Sequence, residues 1–403
     1  MIKILWADDQ SDVVNTFSSI LAPLSAKILS VKDGHEVVQK LKTEYFDVLL
    51  LDLKMSPDEW GGLWALEEIR KFNHKIPVII LSGEGTQSET IKALRLGAQD
   101  YVTKDRVHTE LLQRVTQTLK ENEAKIADGI ANNFPTPLAL PFKRFANSSE
   151  SSTRLHRLVE FFEAYIRFCC FVGVCETRNN ASVAEKSVEI GKIFQLPSMG
   201  GWNQSRKIIG GILPNDSLFF KLDNCINDKL ATSLISIRND MAHGAEPSGA
   251  QAASYLNDVE SDFQTFVKMF WQYFDYEIVL PTKLEFDGKK FNVNGVLVVG
   301  ANVAFPEMEV SIHSPLITNQ AYLWHKGKDL WVNLFPFIAL EPSTEPLTWK
   351  IMIYDSLRMD KSRTNFSGDE AIRYVDLSSG QRNLIPSSKP TSKMLPSIVT
   401  GLQ

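Results

Sequence analysis

Two short stretches, FDVLLL at 46–51 and PVIIL at 77–81, are apolar almost without interruption. A strand with one wet face alternates polar and apolar residues. A run apolar throughout is covered on both faces, as in a parallel sheet with helices above and below. The surrounding pattern agrees. Ile2–Ala7, Ala26–Val31 and Asp100–Thr103 supply three more strand patterns. Helix patterns lie between them: one capped by Asp12 and ended by Pro23, one opened at Asp33-Gly34, Leu63–Phe72, and Thr86–Leu96 stopped by Gly97. A long helix starts near His108 and runs to about residue 127. This order predicts a doubly wound, five-stranded parallel α/β domain over residues 1–122. Its functional crevice is expected at the carboxyl ends of the strands.

The chain has 403 residues, enough for two to four domains. Residues 123–152 read as a helical extension and linker, because NNFPTPLALPF carries three prolines and SSESS follows. Residues 153–272 read as an all-α domain, with turns expected at LPSMGGW and GGILPND. Residues 273–384 read as a mainly antiparallel β module. Its hairpins are expected to turn at Asp287-Gly288 and at Lys326-Gly327-Lys328. Residues 385–403 read as a flexible tail. Cys169, Cys170, Cys175 and Cys225 lack zinc spacing and suit reduced core thiols. Asp8 and Asp9 interrupt any leader-like apolar run, and no apolar run reaches membrane-spanning length. A cytoplasmic protein without a membrane partner is expected. Lys plus Arg total 43 against 48 Asp plus Glu, a net charge of −5, which excludes a generally basic, sequence-independent binder of nucleic acid.

The strand ends converge on one set of side chains. Asp8 and Asp9 end the first strand, Asp52 the third and Ser82 the fourth, and Lys104 follows the fifth. Carboxylates packed together repel, and a hard divalent cation, Mg²⁺, is the simplest compensation. A carboxylate beside such a cation can accept a phosphoryl group as an aspartyl phosphate. A Lys ammonium and a Ser hydroxyl suit the phosphoryl oxygens.

The segments ILWADDQ, VLLLDLKM, VIILSGEG and LGAQDYVTKD resemble the receiver domain of bacterial two-component response regulators. That resemblance implies Asp52 as phosphoacceptor and a sensor histidine kinase as donor. It implies Mg²⁺ held directly by Asp9, Asp52 and the Lys54 backbone carbonyl, and by Asp8 largely through water. It implies Tyr101 as a switch residue acting with Ser82 and Lys104. The face built from the fourth and fifth strands is then expected to form a homodimer on phosphorylation or to release the helical module. Three features depart from the family: Ser56-Pro57 stands where one proline follows the Met, the DEWGG loop is about two residues longer, and Asp105 replaces the proline after the lysine.

A second constellation, Arg238, Asn239 and His243, lies in SLISIRNDMAHGAEPSG. Five positions on a helix amount to about 140° beyond a full turn, so Arg238 and His243 share a face only if the helix ends or kinks between them. Either His243 is a helix-end capping residue, or the group performs metal-independent RNA cleavage, with imidazole moving the proton and guanidinium stabilising the phosphate. The segment resembles HEPN-family helical domains, with a trailing β module, as found in signalling and defence proteins. That resemblance makes Arg238 and His243 catalytic, Asn239 supporting, and phage defence a setting. Residues 148–270 carry 12 Lys plus Arg and 14 Asp plus Glu, which is not an RNA-attracting surface. The leading expectation is a phosphorylation-controlled ribonuclease. The alternatives are a non-catalytic dimerisation or docking output and a transcription regulator; DNA is not an expected partner, because no basic helix-turn-helix pattern is present.

Overall fold

Along the central strands, odd and even residues enter different cores. This follows from the two-residue period of a strand. In the computed structural model, Leu5, Ala7, Leu49, Leu51, Val78 and Ile80 pack with Val37, Leu41, Leu66 and Ile69 of the helices on one face. Ile4, Trp6, Val48, Leu50, Ile79 and Leu81 pack with Val14, Leu111 and Val115 of the helices on the other. The continuous apolar runs are thus buried on both sides. The structure describes residues 2–56, 60–72, 75–83, 87–177, 198–244, 246–325, 329–343, 348–359 and 370–385.

The strands are β1 (Lys3–Ala7), β2 (Lys27–Val31), β3 (Val48–Leu51), β4 (Val78–Ser82) and β5 (Asp100–Thr103). They form one sheet in the order β2-β1-β3-β4-β5, with every neighbouring pair parallel. The connecting helices are α1 (Ser11–Phe17), α2 (Gly34–Thr43), α3 (Gly61–Phe72), α4 (Gln87–Arg95) and α5 (Val107–Asn133). The winding direction reverses between β1 and β3, which opens a crevice at their carboxyl ends. Asp33 caps α2 as expected, accepting a hydrogen bond from the Glu36 amide at 2.8 Å. Asp12, expected as a cap, sits instead in the first turn of α1 behind Gln10. That helix ends at Phe17, and Pro23 falls within a 3-10 helix spanning Ser18–Leu24. Gly97 has φ +90° in the turn after α4, and Arg70 holds that turn through carbonyl bonds to Leu96 (3.1 Å) and Gly97 (2.8 Å). Burial lowers the Arg70 pKa to about 10.

The chain divides into two compact units, Met1–Asp128 with Val267–Tyr273, and Gly129–Phe266 with Phe274–Gln403. In the second, the segment expected as a linker contains helix α6 (Thr136–Ala146). Pro135 and Pro137 misled because proline fits a helix's first positions, where the missing N–H has no intrahelical role, whereas Pro141 lies inside the helix. Leu138, Ala139, Phe142 and Phe145 are buried, and Phe142 meets Phe161 edge-on at 5.2 Å. Then come α7 (Ser151–Thr177), α8 (Met199–Gly210), α9 (Leu218–Asp223), α10 (Asp228–His243) and α11 (Gly249–Tyr273). Met199–Trp202, expected within a turn, is the first turn of α8, because Ser198 caps it through the Gly201 amide at 3.1 Å. All four cysteines are buried, and none forms a disulfide among the described residues.

The β elements are antiparallel, as expected. One sheet has the order β10-β9-β6-β7-β8, from β6 (Glu277–Phe286), β7 (Phe291–Leu297), β8 (Glu307–Ile312), β9 (Tyr322–His325) and β10 (Leu330–Asn333). The other is β11 (Ile338–Pro342), β12 (Trp349–Met359), β13 (Glu370–Asp376) and β14 (Arg382–Ile385) in sequence order. Asp287 closes the β6–β7 turn by accepting from the Lys289 and Lys290 amides, each at 2.8 Å. β9 and β10 pair as a hairpin, while its expected turn at 326–328 and the expected tail beyond Ile385 lie outside the described residues. The helices and sheets expected as separate domains share one core: Phe171 of α7 stacks on Phe337 at 4.8 Å and meets Tyr354 edge-on. Among the described residues, no helix is long and apolar enough to cross a membrane.

Candidate functional site: an acidic pocket at the strand ends

Parallel strands that end together place their next residues side by side. The Asp52 amide donates to the Ala7 carbonyl at 2.9 Å, and the Asp8 amide to Val31 at 3.1 Å. The Lys104 amide donates to the Ser82 carbonyl at 3.1 Å. These backbone bonds bring Asp8, Asp9 and Asp52 together, with carboxylate oxygens within 4.8 Å of one another. Lys104 Nζ bridges two of them, 2.7 Å from Asp52 Oδ2 and 2.9 Å from Asp8 Oδ2. Asp8 and Asp52 are buried, whereas Asp9 is exposed. Asp8 also accepts from the Gln10 amide at 2.9 Å, and Asp52 from the Lys54 amide at 3.3 Å.

The electrostatics follow from this arrangement. Burial raises the Asp52 pKa, and the Asp8 charge adds to it; the hydrogen bond and charge of Lys104 act the other way without cancelling the rise. Burial disfavours the Lys104 ammonium, but its bonds to Asp52 and Asp8 outweigh that, so its pKa is raised. One ammonium is therefore shared by two of the three carboxylates. The hard oxygen donors left over are of the type that holds Mg²⁺. Ser82 Oγ is buried and has no hydrogen-bond partner among the described residues. It sits one backbone bond from Lys104, so an acceptor entering beside Asp52 would satisfy it.

All five strand-end residues expected from sequence thus belong to one neighbourhood. Tyr101 is half-buried on β5, opposite Ile80 of β4, against the core of the α2–α3 face. Lys54 stands on the loop after β3, its ammonium 5.5 Å from the Trp60 ring centre. Pro57, Asp58 and Glu59 of the longer loop lie outside the described residues. Sequence reasoning missed Gly62. A Cβ there would lie 1.8 Å from the Asp52 carbonyl oxygen, so only glycine lets α3 start this close to the end of β3. The tandem Gly61-Gly62 ahead of an apolar helix was the available signal.

The second constellation is not brought together. Helix α10 is continuous through His243, and Gly244 follows as its C-cap in extended conformation. Arg238 and His243 therefore stand about 140° apart around one unbroken helix. Arg238 is half-buried, Asn239 and His243 are exposed, and no hydrogen bond or ion pair among the described residues links them.

Comparison with known proteins identifies the first domain. The family described as "Response regulator receiver domain" matches residues 4–116. A putative response regulator NtrX-like of Rickettsia bellii is 28% identical over 162 residues, covering 38% of this chain and 34% of its own. The transcriptional regulatory protein CpxR of Klebsiella pneumoniae is 31% identical over 122 residues, 30% of this chain and 51% of its own. The chain thus spans about a third to a half of the curated relatives it matches. The Francisella response regulator 1452 receiver domain shares 30% identity over 30% of this chain and 98% of its own, with a TM-score of 0.28. Residues 4–116 are a response regulator receiver domain.

Proposed function

We propose that the protein is a two-component response regulator that takes a phosphoryl group on Asp52 from a sensor histidine kinase. The observation that carries this is the Lys104 bridge between Asp8 and Asp52, with the Ser82 hydroxyl, which has no partner among the described residues, beside it. A carboxylate oxygen of Asp52 attacks phosphorus in line. The O–P bond forms as the N–P bond of the donor phosphohistidine breaks, and the imidazole leaves with its electron pair and gains a proton. Lys104 offsets charge on the phosphoryl oxygens. Ser82 donates its hydroxyl to one of them. Asp8, Asp9, Asp52 and the Lys54 carbonyl are the groups that would hold Mg²⁺, which when bound supplies charge neutralisation at the transferring group. The new dianion draws Ser82 and Lys104 toward it, and Tyr101 moves into the space behind Ser82.

We read the second unit as a docking output without nuclease chemistry of its own, because Arg238 and His243 diverge on α10. The name of CpxR as a transcriptional regulatory protein rests on an alignment covering 30% of this chain, so DNA binding is not carried over. The decisive experiment incubates wild type and Asp52→Asn with radiolabelled acetyl phosphate and Mg²⁺. Wild type is expected to take acid-stable, alkali-labile label; equal label on Asp52→Asn overturns the assignment. RNA cleavage by the phosphorylated protein that His243→Ala abolishes would overturn the docking reading.

A further inference from the structure

The second unit contains a cavity of about 900 Å³ between the α9 segment and the β10-β9-β6-β7-β8 sheet. That volume suits a small molecule. Among the described residues its charged lining is unbalanced: Glu176, Asp216 and Asp329 against one ammonium, that of Lys221. Its apolar lining includes Trp331 and Tyr276. We propose that this cavity binds a small organic cation with an apolar body, an arylalkyl or alkyl ammonium.

Three features favour a cation over an anion. Lys221 is already engaged, its ammonium 3.4 Å from the Tyr276 hydroxyl and acting on Glu176. Glu176 is held in place by accepting from the Leu218 and Phe219 amides at 2.9 and 2.8 Å, so it cannot swing away. Asp329 is fixed beside an aromatic wall: its Oδ1 accepts from Trp331 Nε1 at 2.8 Å, and its Oδ2 faces His313 Nδ1 at 3.1 Å. The Trp331 ring is in turn stacked on Trp324 at 5.0 Å, 12° from parallel. A carboxylate beside a rigid indole is a preorganised cation subsite. An apolar body would cover Leu213 and Leu316. Nothing in this reading depends on Asp52 chemistry, so it gives the regulator a second, chemically distinct input.

The test is calorimetric titration of the full chain with 2-phenylethylammonium and with 3-phenylpropionate, which share a body and differ in charge. The cation is expected to bind saturably, at least about tenfold tighter than the anion. Asp329→Asn and the exposed Asp216→Asn are each expected to weaken it about threefold to tenfold, and Trp331→Leu at least as much. Circular dichroism checks that each variant is folded; Asp216→Asn, on the exposed loop before α9, keeps the test valid if Trp331→Leu is not. Equal or tighter binding of the anion overturns the proposal, as does no saturation by about 10 mM or full affinity in Asp216→Asn and Asp329→Asn together.

Discussion

A cation held between two carboxylates occurs in both units, half-buried Lys104 in the first and buried Arg206 in the second, yet these two clusters do different things. In the first, Lys104 bridges Asp8 and Asp52 at strand ends. In the second, Arg206 on α8 reaches Asp223 at 2.7 Å and Asp228 at 2.6 Å, and its Nε donates to Asn203 at 3.1 Å. The guanidinium fork is filled: each outer nitrogen has a carboxylate and the inner one an amide oxygen. Such saturation locks α8 to α9 and to the start of α10. The lysine cluster is unfinished. Among the described residues, its third carboxylate, Asp9, has no cation of its own and the buried Ser82 hydroxyl has no partner. A finished charge cluster is architecture, and an unfinished one is set to receive a ligand.

Removing each cation sharpens the contrast. Arg206→Met leaves half-buried Asp223 without its ion-pair partner and beside the like charge of Asp228, and is expected to destabilise the second unit by about 3 kcal/mol. Urea unfolding followed by hydrogen exchange in α8 and α9 measures it, and Mg²⁺ should recover none of the loss. Lys104→Met is expected to cost a similar ~3 kcal/mol in Mg²⁺-free buffer. Here Mg²⁺ should restore stability, by about 2.7 kcal/mol when present at a hundred times its dissociation constant. Equal Mg²⁺ responses in the two variants would erase the distinction. The smallest effect is in pH. Burial raises the Asp52 pKa in the folded chain above its ordinary 3.8. Wild type should therefore lose stability relative to Asp52→Asn as pH rises from about 4 through that raised value, and the gap should then level off. Thermal melts of both proteins without Mg²⁺ across this range, with Mg²⁺ as the reversing condition, check the sign.

The first unit was legible because its signals are local and redundant. A doubly apolar strand has one common solution, and a parallel sheet must end its strands together, so Asp8, Asp52, Ser82 and Lys104 could be placed in one crevice from strand assignments alone. The second unit was less legible. The prolines of α6 are compatible with both a linker and a helix start, and burial of Phe142 and Phe145 decided between them. The spacing of Arg238 and His243 left helix continuity open, and continuity was decided by where α10 stopped.

The sequence by itself determined which residues could do chemistry at the strand ends, since strand period and strand order leave little freedom there. Only the tertiary structure decided which of those groups are buried, that one ammonium is shared by two carboxylates, and that Ser82 is left wanting an acceptor. It also decided that helices and sheets of the second unit enclose a cavity with an acidic, aromatic wall. Trp331, Asp329, Glu176 and Lys221 come from segments up to about 150 residues apart, and no local period encodes their meeting. Contacts of that range are set by how whole layers pack, which depends on every buried side chain at once.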